Sequence, residues 1–121
     1  MKRIILITGG QRSGKSVLAE RMALELSRNP VYIATAHIWD EEFQQRVDKH
    51  KERRGEQWTN IEEEKHLSKL CIYNKVAVID CLTLWCTNFF FSAANDENRQ
   101  PDINETLKEI EAEFDKFTDQ D

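Results

Sequence analysis

Eight residues near the start of the chain have the types and spacing of a phosphate-binding loop. The pattern G-x-x-x-x-G-K-[ST] is matched by Gly9, Gly10, Gln11, Arg12, Ser13, Gly14, Lys15 and Ser16. Glycine at the two fixed positions lets the backbone turn sharply and bring N–H groups against phosphate oxygens. Lys15 is expected to reach the β- and γ-phosphates of a nucleotide, and Ser16 to offer its hydroxyl to Mg²⁺. The alternative is a glycine-rich turn that matches by chance.

The residues on either side of the loop favour a working phosphate site. An apolar run, residues 4–8, reads as a buried strand that enters the loop. An apolar stripe at helical spacing follows the loop and consists of Val17, Leu18, Ala19, Met22, Ala23 and Leu26. The helix that carries this stripe would point the positive end of its dipole at the bound anion. The segment therefore predicts nucleotide binding.

A second segment, residues 76–80, ends in a carboxylate that could bind a metal ion. Four apolar residues lead to Asp80, and an acid at the carboxyl end of a strand is typical of the side chain that holds Mg²⁺ opposite a phosphate loop. Parallel strands bring their carboxyl ends to one edge of the sheet, so Asp80 should lie near the loop. Ser16 and Asp80 are the two predicted metal ligands.

His50 is the third candidate. On a helix it lies seven residues after Phe43 and three after Val47, which is compatible with a structural histidine on the core-facing side. Its neighbours at i−4, i+3 and i+4 are Arg46, Arg53 and Arg54. These would surround a phosphate with donors, and a neutral imidazole in such a setting can attack phosphorus. Spacing alone leaves a structural and a nucleophilic histidine open.

The elements that must position these residues alternate along the chain. Predicted strands cover residues 3–8, 31–35 and 75–79, and an extended segment covers 58–61. Predicted helices cover residues 15–28, 40–54, 62–70, 82–93 and 103–117, with a polar loop at 95–101. This alternation predicts an α/β fold of the P-loop NTPase type, a mostly parallel sheet with flanking helices.

Composition is compatible with a single small cytoplasmic domain. The chain has 121 residues, of which 40% are hydrophobic and 32% charged. Residues 76–94 carry one formal charge, yet their threonines, asparagine and serine favour a strand and a buried helix over a membrane span. The three cysteines lack metal-ligand spacing and are expected to be buried; they are Cys71, Cys81 and Cys86.

Charge is unevenly distributed. The whole chain has a formal net charge of −5, while residues 46–54 contain five basic and two acidic residues. A local basic patch on an acidic protein suits a phosphorylated small molecule better than nucleic acid, which usually meets a broadly basic face. The alternative is a solvated helix face.

Four ordered motifs resemble one family, the bifunctional adenosylcobinamide kinase/adenosylcobinamide-phosphate guanylyltransferase of cobalamin biosynthesis. The phosphate loop is similar to the family's G-G-x-R-S-G-K-S, and residues 32–36 to its second-strand Y-I-A-T motif. Residues 46–54, with Trp58 and Glu62-Glu63, resemble R-[IV]-x-x-H-[KR]-x-x-R with its trailing W and E-E. Residues 80–88 match D-C-L-T-x-W-x-T-N. The motifs cover residues 1–95.

The resemblance implies two reactions. ATP or GTP phosphorylates the aminopropanol hydroxyl of adenosylcobinamide, and a histidine then accepts GMP from GTP and passes it to that phosphate. By resemblance the histidine is His50, and Lys15 binds the phosphates of the nucleotide that donates the phosphoryl group. Further nucleotide contacts implied by the family motifs are Ala34, Thr35, Ala36, Lys51, Glu52, Arg53, Glu62 and Asp80. The family also implies Mg²⁺ and a homo-oligomer, typically a trimer.

The chain departs from the family's pattern in two places. Gly55 stands where the family usually has proline. Members also continue for about sixty residues with a T-N-E-V-G-x-G segment, so we expect residues 1–121 to form one P-loop domain truncated at its C-terminus. Two alternatives stay open: a monofunctional small-molecule kinase with a structural His50, and a nucleotide-binding module without turnover.

Overall fold

The computed structural model describes residues 3–10, 13–37, 40–72, 75–94 and 102–118. Its strands are β1 (Val31–Ala34), β2 (Thr59–Glu62) and β3 (Ala77–Asp80). Its helices are α1 (Lys15–Leu26), α2 (Glu41–Arg54), α3 (Leu82–Ala94) and α4 (Ile103–Thr118), with a short 3-10 helix at Leu67–Lys69. The predicted α/β class, a parallel sheet with flanking helices, is confirmed.

The sheet aligns its strand ends at one edge. The strand order is β2-β1-β3, and both neighbours run parallel to β1. Ala34 at the end of β1 is in register with Glu62 on one side and Asp80 on the other. Ligands of open parallel sheets bind outside the carboxyl ends of the strands, so this register places two predicted site residues at the expected edge.

The two faces of the sheet differ in what covers them. Side chains alternate along a strand, so Val31 and Ile33 face one side and Tyr32 the other. The Val31 and Ile33 side packs against α3, α4 and the 3-10 helix, and its buried core also contains Leu67, Trp85, Phe89 and Phe117. Tyr32 packs with Ala23 of α1 and with Trp58, whose ring meets the Tyr32 ring edge-on at 5.9 Å. We call the side of Val31 and Ile33 the apolar face. We call the side of Tyr32 the polar face, because the Tyr32 hydroxyl forms a hydrogen bond there.

Helix α2 begins and ends where its sequence provides caps. The Asp40 carboxylate accepts the backbone N–H of Phe43 at 2.8 Å, which satisfies one of the free donors of the first turn. Gly55 follows the last helical residue with φ of 88°, a conformation that favours glycine. The glycine in place of the family's proline therefore serves as the helix end.

The predicted strand at residues 3–8 is wrong for this structure. Residues 3–10 have no regular secondary structure, and the side chains of Ile4 and Leu6 are 60% and 70% exposed. An apolar run indicates a preference for burial, but a strand also needs a paired neighbour and cover on its faces. The described residues provide neither to this segment.

The predicted helix at 62–70 is replaced by a strand end, a turn and one turn of 3-10 helix. Glu62 ends β2, and the backbone N–H of Glu63 continues the ladder to Ala34 O at 3.0 Å. The Glu63 carboxylate then accepts the backbone N–H of His66 at 2.7 Å, which competes with helical hydrogen bonding.

Three smaller expectations have mixed outcomes. Cys71 is exposed rather than buried, because it lies in irregular chain after the 3-10 helix, whereas Cys81 and Cys86 are half-buried. No helix among the described residues is long and apolar enough to cross a membrane. The predicted loop at 95–101 lies outside the described residues.

Candidate functional site

The predicted phosphate loop leads directly into α1. Gly14 stands at the helix N-cap with φ of 85°, and Leu18 N–H donates to its carbonyl oxygen at 3.0 Å. A side chain with a Cβ is strained at this φ, so the glycine of the pattern is required by the backbone. At Gly9 an added Cβ would lie 2.5 Å from Ser13 Oγ. Gln11 and Arg12 lie outside the described residues.

Lys15 and Ser16, the predicted phosphate and Mg²⁺ contacts of the loop, lie at the start of α1. Lys15 Nζ donates to Gly10 O at 3.3 Å across the loop. Ser16 Oγ donates to Asp80 Oδ2 at 3.2 Å, which joins residues 64 positions apart in the chain. The structure therefore brings together the two predicted metal ligands.

Asp80 has a second partner that the sequence did not indicate. The hydroxyl of Tyr32, from the neighbouring strand, donates to the same oxygen, Oδ2. Burial, followed by the hydrogen bond and the negative charge of Asp80, raises the pKa of Tyr32 well above its usual value. The hydroxyl is therefore a donor at every physiological pH.

Arg54 covers the ring of Tyr32 from the end of α2. Its guanidinium carbon lies 3.6 Å from the ring centroid, and its side chain is 3% exposed. Nη2 and Nε donate to Asn60 Oδ1 at 2.8 and 3.2 Å, and Nη1 lies 4.0 Å from Glu20 Oε1. That carboxylate oxygen is buried and has no hydrogen bond among the described residues, so Arg54 is the charge it faces.

His50 lies one turn before the end of α2 and is exposed. Among the described residues no hydrogen bond or ion pair involves its ring, so it is not the core-facing histidine that one interpretation of the spacing predicts. Its neighbours on α2 are paired: Lys51 Nζ with Glu62 Oε1 at 2.8 Å, and Arg53 Nη2 with Glu20 Oε2 at 3.4 Å. Glu52 is exposed.

The second-strand motif ends in a residue with a clear structural contact. Thr35 is fully buried, its hydroxyl donates to Cys81 O at 2.7 Å, and it accepts the N–H of Cys81 at 3.0 Å. These bonds tie the end of β1 to the residue after Asp80. Ala34 and Ala36 are half-buried beside it. Nucleotide contacts of the three residues stay predictions.

A further polar group lies at the same edge of the sheet. Asn88 of α3 donates to Thr35 O at 2.7 Å and to Glu64 O at 2.9 Å. The Glu64 carboxylate lies 2.6 Å from Nδ1 of His37. This group holds the chain segments after β1 and β2 together.

The donor set at Ser16 and Asp80 suits Mg²⁺. The described residues contain no cluster of three or more His, Cys, Asp or Glu side chains that could hold a metal by themselves. Mg²⁺ in nucleotide sites uses one or two protein oxygens and completes its shell with phosphates and water. A hydroxyl and a carboxylate that converge at a helix N-terminus fit this requirement.

Sequence reasoning missed Glu20 and Tyr32. Glu20 follows Ser16 by four residues and so shares its face of α1, and Tyr32 alternates with the core residues of β1. Both periodicities are readable from the sequence, but their partners, Arg54 and Asp80, come from distant segments.

Comparison with known proteins agrees with the motifs. A family model described as cobinamide kinase/cobinamide phosphate guanyltransferase matches residues 5–120. The bifunctional adenosylcobalamin biosynthesis protein CobP of Pseudomonas aeruginosa is 40% identical over 113 residues, which are 90% of this chain and 64% of that protein. CobU of Escherichia coli K12, described in the same words, is 37% identical over 99 residues, or 78% of this chain and 54% of its own length.

The chain thus spans between about half and two thirds of the length of these relatives. The family match covers nearly all of its residues, including the phosphate loop, His50 and Asp80. The chain therefore belongs to the cobinamide kinase/cobinamide phosphate guanyltransferase family.

Proposed function

We propose that the protein phosphorylates adenosylcobinamide and transfers GMP from GTP to adenosylcobinamide phosphate through a guanylylated His50, in cobalamin biosynthesis. The observation that carries the proposal is the hydrogen bond between Ser16 Oγ and Asp80 Oδ2 at the start of α1. It joins the phosphate loop to the strand-end acid, the pairing that a Mg²⁺-nucleotide site requires. Family membership supplies the substrates.

In the kinase step the chain's own residues position and neutralise the phosphates. The N-terminus of α1 directs backbone N–H groups and a positive dipole end at the anion. Lys15 adds a full positive charge, and Ser16 and Asp80 would hold Mg²⁺, which neutralises charge on the phosphate oxygens when bound. The aminopropanol oxygen bonds to the γ-phosphorus and the bridging P–O bond breaks. The nucleoside diphosphate leaves with the electrons of that bond, and the hydroxyl proton is released to solvent.

In the guanylyl step His50 acts as a nucleophile. A ring nitrogen of His50 attacks the α-phosphorus of GTP, a P–N bond forms, and pyrophosphate leaves with the electrons of the P–O bond. A phosphate oxygen of adenosylcobinamide phosphate then attacks the same phosphorus and the P–N bond breaks. Exposure of His50 supports this role, because an accessible ring can reach a bound nucleotide.

Basic residues near His50 support binding of the triphosphate. Lys51 and Arg53 lie directly beside it on α2, and each is held by a carboxylate, Glu62 and Glu20. Such ion pairs orient the long side chains of Lys51 and Arg53. We propose that these two side chains turn from their carboxylates to the phosphates when the nucleotide binds. Assembly as a homo-oligomer, a trimer by family resemblance, remains part of the proposal.

Incubation with α-labelled GTP tests the proposal. Wild-type protein should acquire label that is labile in acid and stable in base, because protonation of a phosphoramidate nitrogen creates a good leaving group. His50→Ala should lose the label and retain phosphorylation of adenosylcobinamide. His66→Ala, a matched change at an exposed histidine before the 3-10 helix, should retain both.

Each of the other outcomes would indicate a different function for the protein or a different role for His50. Label retained in His50→Ala would move the nucleophile elsewhere. A phosphorylated acceptor without protein label would indicate a kinase alone, and neither product would leave a nucleotide-binding module. Equal loss of both activities in His50→Ala would indicate that the exposed imidazole has no role specific to guanylyl transfer.

A further inference from the structure

Five side chains and one turn of α1 connect the predicted metal ligands to the end of the helix that carries His50. In the order of their contacts, the side chains of this polar ring are Ser16, Asp80, Tyr32, Arg54 and Glu20. Ser16 and Glu20 lie one turn apart on α1, so the helix backbone completes the ring. The ring therefore joins α1, β3, β1 and α2.

We propose that Tyr32 is a positioning residue for the Mg²⁺ site, and that Arg54 at the end of α2, itself faced by Glu20 of α1, holds Tyr32 in place. This inference rests on the proposed function, because it assigns Asp80 to Mg²⁺. Tyr32 touches neither nucleotide nor metal in this assignment. It acts through Asp80.

The two hydrogen bonds to the Asp80 carboxylate reach the same oxygen atom. Ser16 and Tyr32 both donate to Oδ2 of Asp80, and among the described residues no hydrogen bond reaches Oδ1. A Ser16 hydroxyl can bind Mg²⁺ through an oxygen lone pair while its O–H still donates to Asp80. Tyr32, from the neighbouring strand, is the donor that does not itself bind the ion, and it helps to keep the carboxylate oriented with Oδ1 available to the ion or its water.

Tyr32 is itself firmly fixed by its neighbours. Its ring is buried between Trp58, edge-on at 5.9 Å, and the guanidinium of Arg54 at 3.6 Å. Arg54 in turn is fixed by two hydrogen bonds to Asn60 and by the buried carboxylate of Glu20. Each contact restricts the rotation of the next side chain, so the hydroxyl can point only at the end of β3.

The position of Arg54 adds a consequence for the second reaction. Arg54 is four residues after His50, and Arg53 contacts the same Glu20. The polar ring therefore fixes the end of α2 against α1 as well as orienting Asp80. Both proposed reactions would depend on the same set of buried contacts.

The test compares GTP binding in magnesium buffer and in EDTA by calorimetry. Wild-type protein should bind more tightly with Mg²⁺, and the ratio of the two affinities measures the contribution of the metal. Tyr32→Phe removes only the hydroxyl. It should lower this ratio about tenfold, the lower end for partners of metal ligands, and leave binding in EDTA within twofold.

A second variant guards against a Tyr32→Phe protein that is too unstable to measure. Glu20→Gln removes the charge behind Arg54 and should lower the ratio by less than Tyr32→Phe does, since it acts through two further contacts. Glu25→Gln, an exposed change on the same helix, should leave the ratio unchanged. The double variant of Tyr32 and Glu20 should lose less than the product of the single losses, because the two act in one network.

A merely structural role would lower the unfolding midpoint and leave the affinity ratio at its wild-type value. An unchanged ratio in folded Tyr32→Phe and Glu20→Gln would therefore overturn the inference while leaving the proposed function intact. A wild-type protein that binds GTP equally well with and without Mg²⁺ would overturn both.

Discussion

The two faces of the sheet are held by different kinds of contact. On the apolar face, Val31 and Ile33 are buried against aromatic side chains, with Trp85 and Phe89 in edge-to-face contact at 5.3 Å. On the polar face, Tyr32 also packs with Ala23 and Trp58, but its hydroxyl donates to the half-buried carboxylate of Asp80 and its ring lies under the buried guanidinium of Arg54. One strand, β1, supplies both faces through alternate residues.

Because of this difference, we expect the apolar face mainly to stabilise the fold and the polar face mainly to orient the groups of the proposed site. Apolar burial is non-directional and stabilises the fold in proportion to area, whereas buried polar groups contribute little net stability and fix orientation. Every described member of the proposed metal site lies on the polar face or at the strand ends. We therefore expect changes on the apolar face to alter unfolding, and changes on the polar face to alter binding.

The largest effect is expected from Trp85→Ala on the apolar face. Trp85 is 2% exposed, and its indole N–H donates to Lys65 O at 2.8 Å, so its removal leaves a cavity and an unpaired carbonyl. The free energy of unfolding should fall by about 3–5 kcal/mol in urea denaturation. Its neighbour Leu84 is exposed, and Leu84→Ala should change it by less than about 1 kcal/mol. Similar losses for the two variants would show that the aromatic core does not hold this face.

Lys15→Ala, in contrast, should weaken GTP binding and leave stability nearly unchanged. Loss of its charge should weaken GTP binding by roughly ten- to a hundredfold, since hydrogen bonds to charged groups contribute about 1.5–3 kcal/mol. The unfolding midpoint in the absence of nucleotide should stay close to wild type, because Lys15 is partly exposed and bonds only a loop carbonyl. GTP affinity equal to wild type in calorimetry would contradict the phosphate-loop assignment.

Asp80→Asn should separate metal from nucleotide. Asparagine can still accept from Tyr32 and Ser16, so the fold should be retained, but the charge that attracts Mg²⁺ is gone. GTP binding in magnesium buffer should fall about tenfold and binding in EDTA should not. Equal losses in the two buffers would make Asp80 a structural residue.

The smallest effect concerns a carboxylate on the apolar side of the molecule. Glu113 of α4 accepts the N–H of Ser68 at 2.7 Å. Its partial burial tends to raise the pKa, but the hydrogen bonds from Ser68, together with nearby His66 and Lys116, outweigh burial and lower the pKa from the ordinary 4.5. The contribution to stability is therefore present above the unfolded-state pKa and is lost as the pH falls through the lowered folded-state pKa.

Urea denaturation from pH 7 to pH 3 measures this contribution. At about pH 7, Glu113→Gln should be less stable than wild type by about 1 kcal/mol, and the difference should shrink in acid, where wild-type Glu113 is also neutral. A difference that grows as the pH falls would have the wrong sign for a lowered pKa.

Local patterns predicted most of the elements and part of the site. Helix α1 and the strand that ends at Asp80 each have a signal within a few neighbouring residues, and the structure contains them. The phosphate loop has an equally local signal and stays a prediction. The strand at residues 3–8 was predicted from apolar composition, which does not specify a pairing partner. The contacts of Tyr32 with Asp80 and of Glu20 with Arg54 were not predicted, because they depend on how distant elements pack.

An NMR titration of isotope-labelled protein with Mg²⁺ and GTP tests the separation of the two faces most directly. We expect amide shifts at the phosphate loop, at Asp80 and at the end of α2 around Arg54, with little change at Ile33, Trp85 and Phe117 of the apolar core. Shifts confined to the apolar face, or none at the loop and Asp80 under saturating nucleotide, would contradict this expectation.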